Sequence, residues 1–238
     1  MAYFNIVAQS SESTVVTEYN PQAKRSEAYQ SEADLERGFI RLLKELGYEY
    51  LTIHKEKDLV DNLRLQLEAV NDYRFSDEEW GRFFSEVLAN PKSGIVEKTR
   101  LIQEDFVQVL RRDDGSSKNI TLFDKKNIHN NRLQVINQYA VSKEEGAAHD
   151  NRYDVTVLVN GLPMVHIELK RRGVPIREAF NQIDRYQRDS FWAASGLFEY
   201  VQIFVVSNGT NTKYYSNTTR FNHCLLYTSP SPRDVEES

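Results

Sequence analysis

The chain holds a single cysteine, Cys224, among its 238 residues. One thiol excludes an internal disulfide framework and any cysteine-based zinc cluster. No apolar run approaches the ~20 residues that a membrane-spanning helix needs. The opening Met1-Ala2-Tyr3-Phe4-Asn5 has no basic segment followed by an apolar one, so no secretory signal is expected and the cytoplasm is the expected location. None of the glycines is followed by lysine, which excludes a G-x-x-x-x-G-K-[S/T] phosphate loop. The histidines show no metal-ligand spacing, and no internal repeat is visible. Hydrophobic content of 40% with 27% charged residues is that of a globular domain, and the length suits one sizeable domain or two small ones.

What is present concentrates between Tyr153 and Lys170. This stretch reads as two short strands joined at Asn160-Gly161. Tyr153, Val155, Val157 and Val159 alternate on the first strand, and Val165, Ile167 and Leu169 form a matching apolar set on the second. The opposite parity carries Asp154 and Thr156, then His166, Glu168 and Lys170. A two-residue loop would pair Val159 with Leu162 and Tyr153 with Glu168, mixing the two faces. The hydrophobic pattern therefore selects a three-residue loop with Gly161 in the left-handed conformation and a bulge. Asp154 and Glu168 then share a face and can hold a hard divalent cation through oxygen, leaving sites for water and phosphate. Lys170 beside them can polarise the water or steady developing phosphate charge. This is the chemistry of metal-assisted phosphodiester hydrolysis. Acid-x-lysine alone is commonly an exposed ion pair, and Asp124-Lys125-Lys126 is read as such a solvated strand end. The hairpin placement is what separates Glu168-Leu169-Lys170 from it.

A helix is expected to begin near Pro175, which suits a first-turn position. Ile176, Ala179, Phe180 and Ile183 form its core stripe, and Gln182 and Tyr186 stand one turn apart on one side. Read alone, Gln182 is a rim residue and Tyr186 a half-buried phenol. Arg177, Arg185 and Arg188 make the run from Lys170 to Arg188 locally basic in a chain of net charge −5. Cations around a small acidic pocket suit a polyanionic substrate. His166 shares the acidic face by parity and is read as a solvated or packed imidazole. Trp80 and Trp192 are read as core or interface residues.

Asp154, Glu168-Leu169-Lys170 and Gln182-Ile183-Asp184-Arg185-Tyr186 resemble the PD-(D/E)xK nuclease core with the Gln-x-x-x-Tyr extension of RecB-like nucleases. The longer runs Tyr153–Pro163, Ile167–Val174 and Arg177–Tyr186, with Phe204–Gly209, resemble the restriction (R) subunit of type I restriction–modification enzymes. The resemblance covers Ser31 to about His223. One departure is Tyr153, which stands where the motif's naming proline would precede Asp154. The resemblance implies an α/β restriction-endonuclease-like core, a mixed central sheet flanked by helices. Asp154 and Glu168 would bind Mg²⁺ aided by the Leu169 carbonyl, Lys170 would activate or orient the attacking water, and Gln182 and Tyr186 would position the scissile strand. The first helix of such folds often adds an acid to the metal site, for which Glu32 is preferred over Glu36. A helix-dipole role is an equally good reading of Glu32. The implied substrate is unmodified double-stranded DNA, and the implied partners are methylation (M) and specificity (S) subunits. ATP would enter only through motor domains that these residues do not contain. A stand-alone RecB-like exonuclease or repair nuclease, or a non-catalytic DNA-binding domain of the same fold, are the alternatives.

Along the chain, residues 1–30 are expected to be a loosely ordered arm with one short strand around Thr14–Thr17. Residues 31–223 form the nuclease domain. Ser31 and Asp34 make an approximate capping box, the helix stripe runs Leu35, Phe39, Leu42, Leu43, Leu46, and Gly47 ends it. Residues 56–112 read as a helical insertion (Leu59–Val70, Asp77–Leu88, Ile95–Leu110), expected on the side of the core opposite the Gln182 helix. Asp113–Ser117 is a turn; Ile120–Asp124, Leu133–Tyr139, Val201–Ser207 and Lys213–Ser216 are strands. Cys224–Asp234 resembles the translation of a transposase sequencing adapter, so residues 224–238 are expected to be an artefactual tail without regular structure. The authentic sequence is then expected to stop near His223, as an incomplete gene.

Overall fold

The computed structural model of the chain describes residues 3–9, 15–20, 31–217 and 227–228. Strands β1 (Tyr3–Gln9) and β2 (Val15–Asn20) form an antiparallel hairpin. Two paired strands thus stand where a loose arm with one strand is expected. Helix α1 (Glu32–Glu45) opens with the Ser31–Asp34 capping box and stops before Gly47, whose φ of 92° suits only glycine well. Its buried line is Glu36, Phe39, Ile40 and Leu43, while Leu42 and Leu46 are 50% and 67% exposed. The expected stripe is therefore rotated by roughly 65°, about two-thirds of one residue step. That rotation turns Glu36 inward.

Strand β3 (Glu49–Tyr50) precedes the inserted segment. Helix α2 (Glu56–Asn71) buries Leu59, Leu63 and Leu67 completely. Helix α3 (Asp77–Phe83) starts at a Ser76–Glu79 capping box and runs into a π-helical turn, Phe84–Leu88. Helix α4 covers only Ile95–Gln103. The expected continuation to Leu110 is instead strand β4 (Val107–Arg111), paired antiparallel with β5 (Ser117–Thr121). The insertion is therefore helical with a hairpin, and the strand expected at Ile120–Asp124 sits earlier. The missed signal is local: Asp114-Gly115, with Gly115 at φ 82°, is a hairpin turn that requires a strand on each side.

Strands β6 (Leu133–Val141), β7 (Asn151–Val159) and β8 (Leu162–Leu169) lead to helix α5 (Ile176–Asp189), then β9 (Ile203–Ser207), β10 (Thr212–Ser216) and β11 (Tyr227–Thr228). They form one sheet in the order β11-β10-β9-β8-β7-β6-β3. The β8–β9 and β3–β6 pairs are parallel and the others antiparallel, so the sheet is mixed. The two-residue β11 is a regular element inside the stretch expected to have none; the remaining residues of 224–238 lie outside the described residues.

Both sheet faces are covered. Ile136, Leu158 and Phe204 join a core with Leu59, Leu63 and Leu67 of α2 and Ala179, Ile183 and Tyr186 of α5. Val135, Val155, Val157, Ile167 and Leu169 pack with Leu43 of α1 on the reverse face. The insertion thus lies on the same side as α5, not opposite it, and α1 covers the other side.

The β7–β8 connection corrects the expected loop. It is a two-residue turn, with Asn160 at φ 50° and Gly161 at φ 84° pairing Val159 with Leu162. Two successive left-handed residues are what the Asn-Gly sequence favours in a tight hairpin. Parity is restored further on, where the register jumps from Leu158↔Pro163 to Val157↔Val165 and leaves Met164 as the bulged residue. Pro163 has no N–H to donate, so the bulge falls where the ladder is already weak. The turn itself is buried. Asn160 Nδ2 donates to the Leu122 carbonyl at 2.9 Å, and a Cβ on Gly161 would lie 2.6 Å from Leu63 Cα.

Candidate active site

The bulge puts the two acids on a common register. Val155 pairs with Ile167, so one further step of the antiparallel ladder sets Asp154 opposite Glu168. The Leu169 N–H donates to Asp154 Oδ2 at 2.9 Å, tying the first acid to the strand that carries the second. On its other side Asp154 faces Gln138 of β6, a residue at φ 53° between the pairs Asn137↔Val155 and Tyr139↔Tyr153. The alternation changes phase there. Tyr153, expected to share a face with Val155 and Val157, packs instead in the α5-side core with Tyr139 and Tyr186. Asp154 therefore sits at a break in the pleat, half-buried rather than enclosed.

Glu168 is completely buried. Its Oε1 accepts from Lys170 Nζ at 3.0 Å, while its Oε2 has no hydrogen-bond partner. Burial pushes the Asp154 carboxyl up to about 7, and the charge of Glu168 adds to the rise. For Lys170, burial pulls downward, but Glu168 and then Asp154 outweigh it and the ammonium is raised above its usual range. An orphaned carboxylate oxygen and a second acid that resists ionising beside it fit a hard divalent cation. Among the described residues no group of three or more His, Cys, Asp or Glu side chains forms a ligand cluster. Two carboxylates would be the charged share of such a site, a number that fits a hard ion retaining several waters.

The acids of α1 divide differently from the expectation. Glu32 is exposed and its Oε1 accepts from the Arg171 N–H at 3.2 Å. Glu36 is the buried one; it accepts from Asn137 Nδ2 and from Gln138 Nε2, and its charge adds to the rise of Asp154. Asn137 and Gln138 are the site neighbours that reading the sequence missed, and Glu36 is the acid it ranked behind Glu32. The available signal was the line Glu36, Ile40, Leu43 in α1, hidden by the more apolar Leu42 and Leu46.

On α5, Gln182 Nε2 donates to Tyr186 Oη, and Tyr186 Oη donates to the Arg152 carbonyl at 2.9 Å. Burial, then Glu168, pushes the Tyr186 phenol up, so it remains a neutral donor. Arg177, Arg185 and Arg188 lie exposed along the helix. His166 is packed, not solvated, with its ring edge-on to Tyr153, Tyr186 and Phe191. Trp80 lies in the core and Trp192 is half-exposed. The Asp124-Lys125-Lys126 decoy is a turn in which Asp124 caps the N–H groups of Lys126 and Asn127.

A mixed sheet covered on both faces, with paired acids on adjacent strands and a lysine two residues after the second, defines a restriction-endonuclease-like α/β protein. The chain belongs to the family described as Type I restriction enzyme R protein N terminus, whose model matches residues 29–223. It is 50% identical over 215 residues to the type I restriction enzyme EcoprrI endonuclease subunit of Escherichia coli, covering 90% of this chain and 67% of that protein. The SauMSSORF170P endonuclease subunit of Staphylococcus aureus is 42% identical over 195 residues, 80% of this chain and 20% of that protein. A putative MjaIXP endonuclease subunit of Methanocaldococcus jannaschii is 26% identical over 231 residues, 92% and 19% of the two chains. The chain thus spans about a fifth of the staphylococcal and archaeal relatives. No helix among the described residues is long and apolar enough to cross a membrane.

Proposed function

We propose that this chain is the nuclease unit of a type I restriction enzyme R subunit and hydrolyses DNA phosphodiester bonds with Mg²⁺. The observation that carries the reading is the placing of Asp154 opposite Glu168 with Lys170 bonded to Glu168. Asp154, Glu168 and the Leu169 carbonyl would hold the ion, which when bound supplies Lewis acidity and a more acidic water. Lys170, protonated across the physiological range, orients the attacking water and offsets charge developing on the phosphate. Gln182 and Tyr186, joined to one another and to the β7 backbone, position the scissile strand from α5. Glu36 holds Asp154's surroundings rigid through Asn137 and Gln138, while Glu32 stands at the rim. The arginines of α5 face the polyanion.

Within this reading residues 31–223 are the nuclease domain, 56–112 its insertion, and 224–238 an adapter-derived tail. Cutting of unmodified double-stranded DNA is coupled to ATP-driven translocation by motor domains elsewhere in the R subunit, in complex with M and S subunits in the cytoplasm. The test is plasmid cleavage and ATPase rate side by side in the assembled enzyme. Asp154→Ala and Lys170→Ala should abolish cutting while ATP hydrolysis persists, since each removes a group acting at the scissile phosphate. Cutting at the wild-type rate by Asp154→Ala would return the chain to a DNA-binding role.

A further inference from the structure

We propose that His166 is a positioning residue for Glu168, holding the outer carboxylate oxygen so that the pair of acids presents a preformed cation site. The proposal rests on the reading of Asp154 and Glu168 as the ion's ligands. Three buried side-chain polar atoms among the described residues lack a hydrogen bond, and two of them, His166 Nε2 and Glu168 Oε2, face each other at 3.6 Å. That separation is slightly too long for a hydrogen bond. A small swing of the carboxylate, whose other oxygen is held by Lys170 Nζ, closes it.

The ring is fixed for this task. Thr156 and His166 are cross-strand partners, and Thr156 Oγ1 lies 3.4 Å from His166 Nδ1. A hydroxyl donating to Nδ1 leaves Nε2 to carry the ring proton, the arrangement that donates toward Glu168. The edges of Tyr153, Tyr186 and Phe191 pack around the ring at centroid distances of 5.5, 6.0 and 5.8 Å and oppose its rotation. Thr156, His166 and Glu168 thus form a buried line along one face of β7 and β8, ending at the reactive carboxylate. A carboxylate held on both oxygens loses less freedom when it binds an ion, and outer groups that orient a ligand in this way typically change ion affinity or activity by ~10–100-fold.

The experiment measures Mn²⁺ affinity of the 238-residue chain by electron paramagnetic resonance, without DNA. His166→Phe keeps the aromatic packing and removes the donor; it should bind Mn²⁺ at least about tenfold more weakly. His166→Gln restores an N–H donor and should lie within a few-fold of the wild type. Histidine ¹⁵N shifts of the wild-type chain should show the Nε2–H tautomer. Wild-type Mn²⁺ affinity in His166→Phe, or an Nδ1–H tautomer, would overturn the proposal. Should His166→Phe fail to fold, Thr156→Val, which frees the tautomer, takes its place and must weaken Mn²⁺ binding. Asp154→Ala separates the two levels: undiminished Mn²⁺ binding there would remove the cation site itself, whereas weakened binding in Asp154→Ala with no weakening in His166→Phe would remove only the role of His166.

Discussion

Asp154→Asn should stabilise the metal-free chain, increasingly so as pH rises from about 4 to about 7. Asp154 is raised from 3.8 to about 7 by burial and by Glu168. The folded chain therefore binds a proton that the unfolded chain has released, so stability is fully present below pH ~4, is lost as pH rises, and is fully lost above pH ~7. At about 1.4 kcal/mol per pH unit, that displacement amounts to about 4 kcal/mol at pH 8.5. An asparagine cannot ionise, and its Oδ1 can still accept the Leu169 N–H that Asp154 accepts at 2.9 Å. Urea denaturation in EDTA, followed by tryptophan fluorescence, should therefore show Asp154→Asn more stable than wild type by up to about 4 kcal/mol at pH 8.5 and by about 1 kcal/mol at pH 4.5. Added Mg²⁺ should narrow the gap, stabilising the wild type by the binding term and leaving the variant unmoved. A stability gap independent of pH, or no gap at pH 8.5, would show that Asp154 is not held against Glu168 in a poorly solvated pocket.

Gly161→Ala should destabilise the chain by roughly 2–4 kcal/mol in urea, since a Cβ at φ 84° would also press on Leu63 Cα at 2.6 Å. Lys98→Met should cost about 3–5 kcal/mol by leaving Glu199, 2.6 Å from the buried Lys98 ammonium, without its counter-charge. The double variant Lys98→Met with Glu199→Gln should recover at least half of that loss in the same assay. Tyr186→Phe should lower plasmid cleavage by the assembled enzyme roughly tenfold, far less than Lys170→Ala, because it removes the hydroxyl joining Gln182 to the Arg152 carbonyl without touching the acids. Equal losses in the two variants would put Tyr186 in the chemistry itself.

Much of this protein is legible in its sequence. Alternation along Val155–Val159 and Val165–Leu169, capping residues at Ser31 and Ser76, and the spacing of Gln182 and Tyr186 are local signals with a period of 2 or 3.6 residues. They locate the paired acids, Lys170 and the helix beside them. The same locality explains the errors. In α1 the apolar count favours Leu42 and Leu46, yet burial follows whichever stripe meets the sheet, and that stripe contains Glu36. Strand β4 reads as helix because Val107–Arg111 carries no decisive period of its own; its partner β5 lies beyond a turn.

Residue types and their local spacing single out the candidate groups and put the acids and the lysine on one hairpin. How that hairpin closes depends on tertiary packing. The turn residues Asn160 and Gly161 are buried against Leu122 and α2, so a two-residue turn is held and Met164 absorbs the parity error as a bulge. Tertiary contacts likewise break the alternation at Gln138, sending Tyr153 to the α5 face and leaving Asp154 at the break. One cause is common to these cases: side-chain periodicity reports what one segment prefers, whereas register, helix rotation and the phase of a strand are set by surfaces that meet only when distant segments pack.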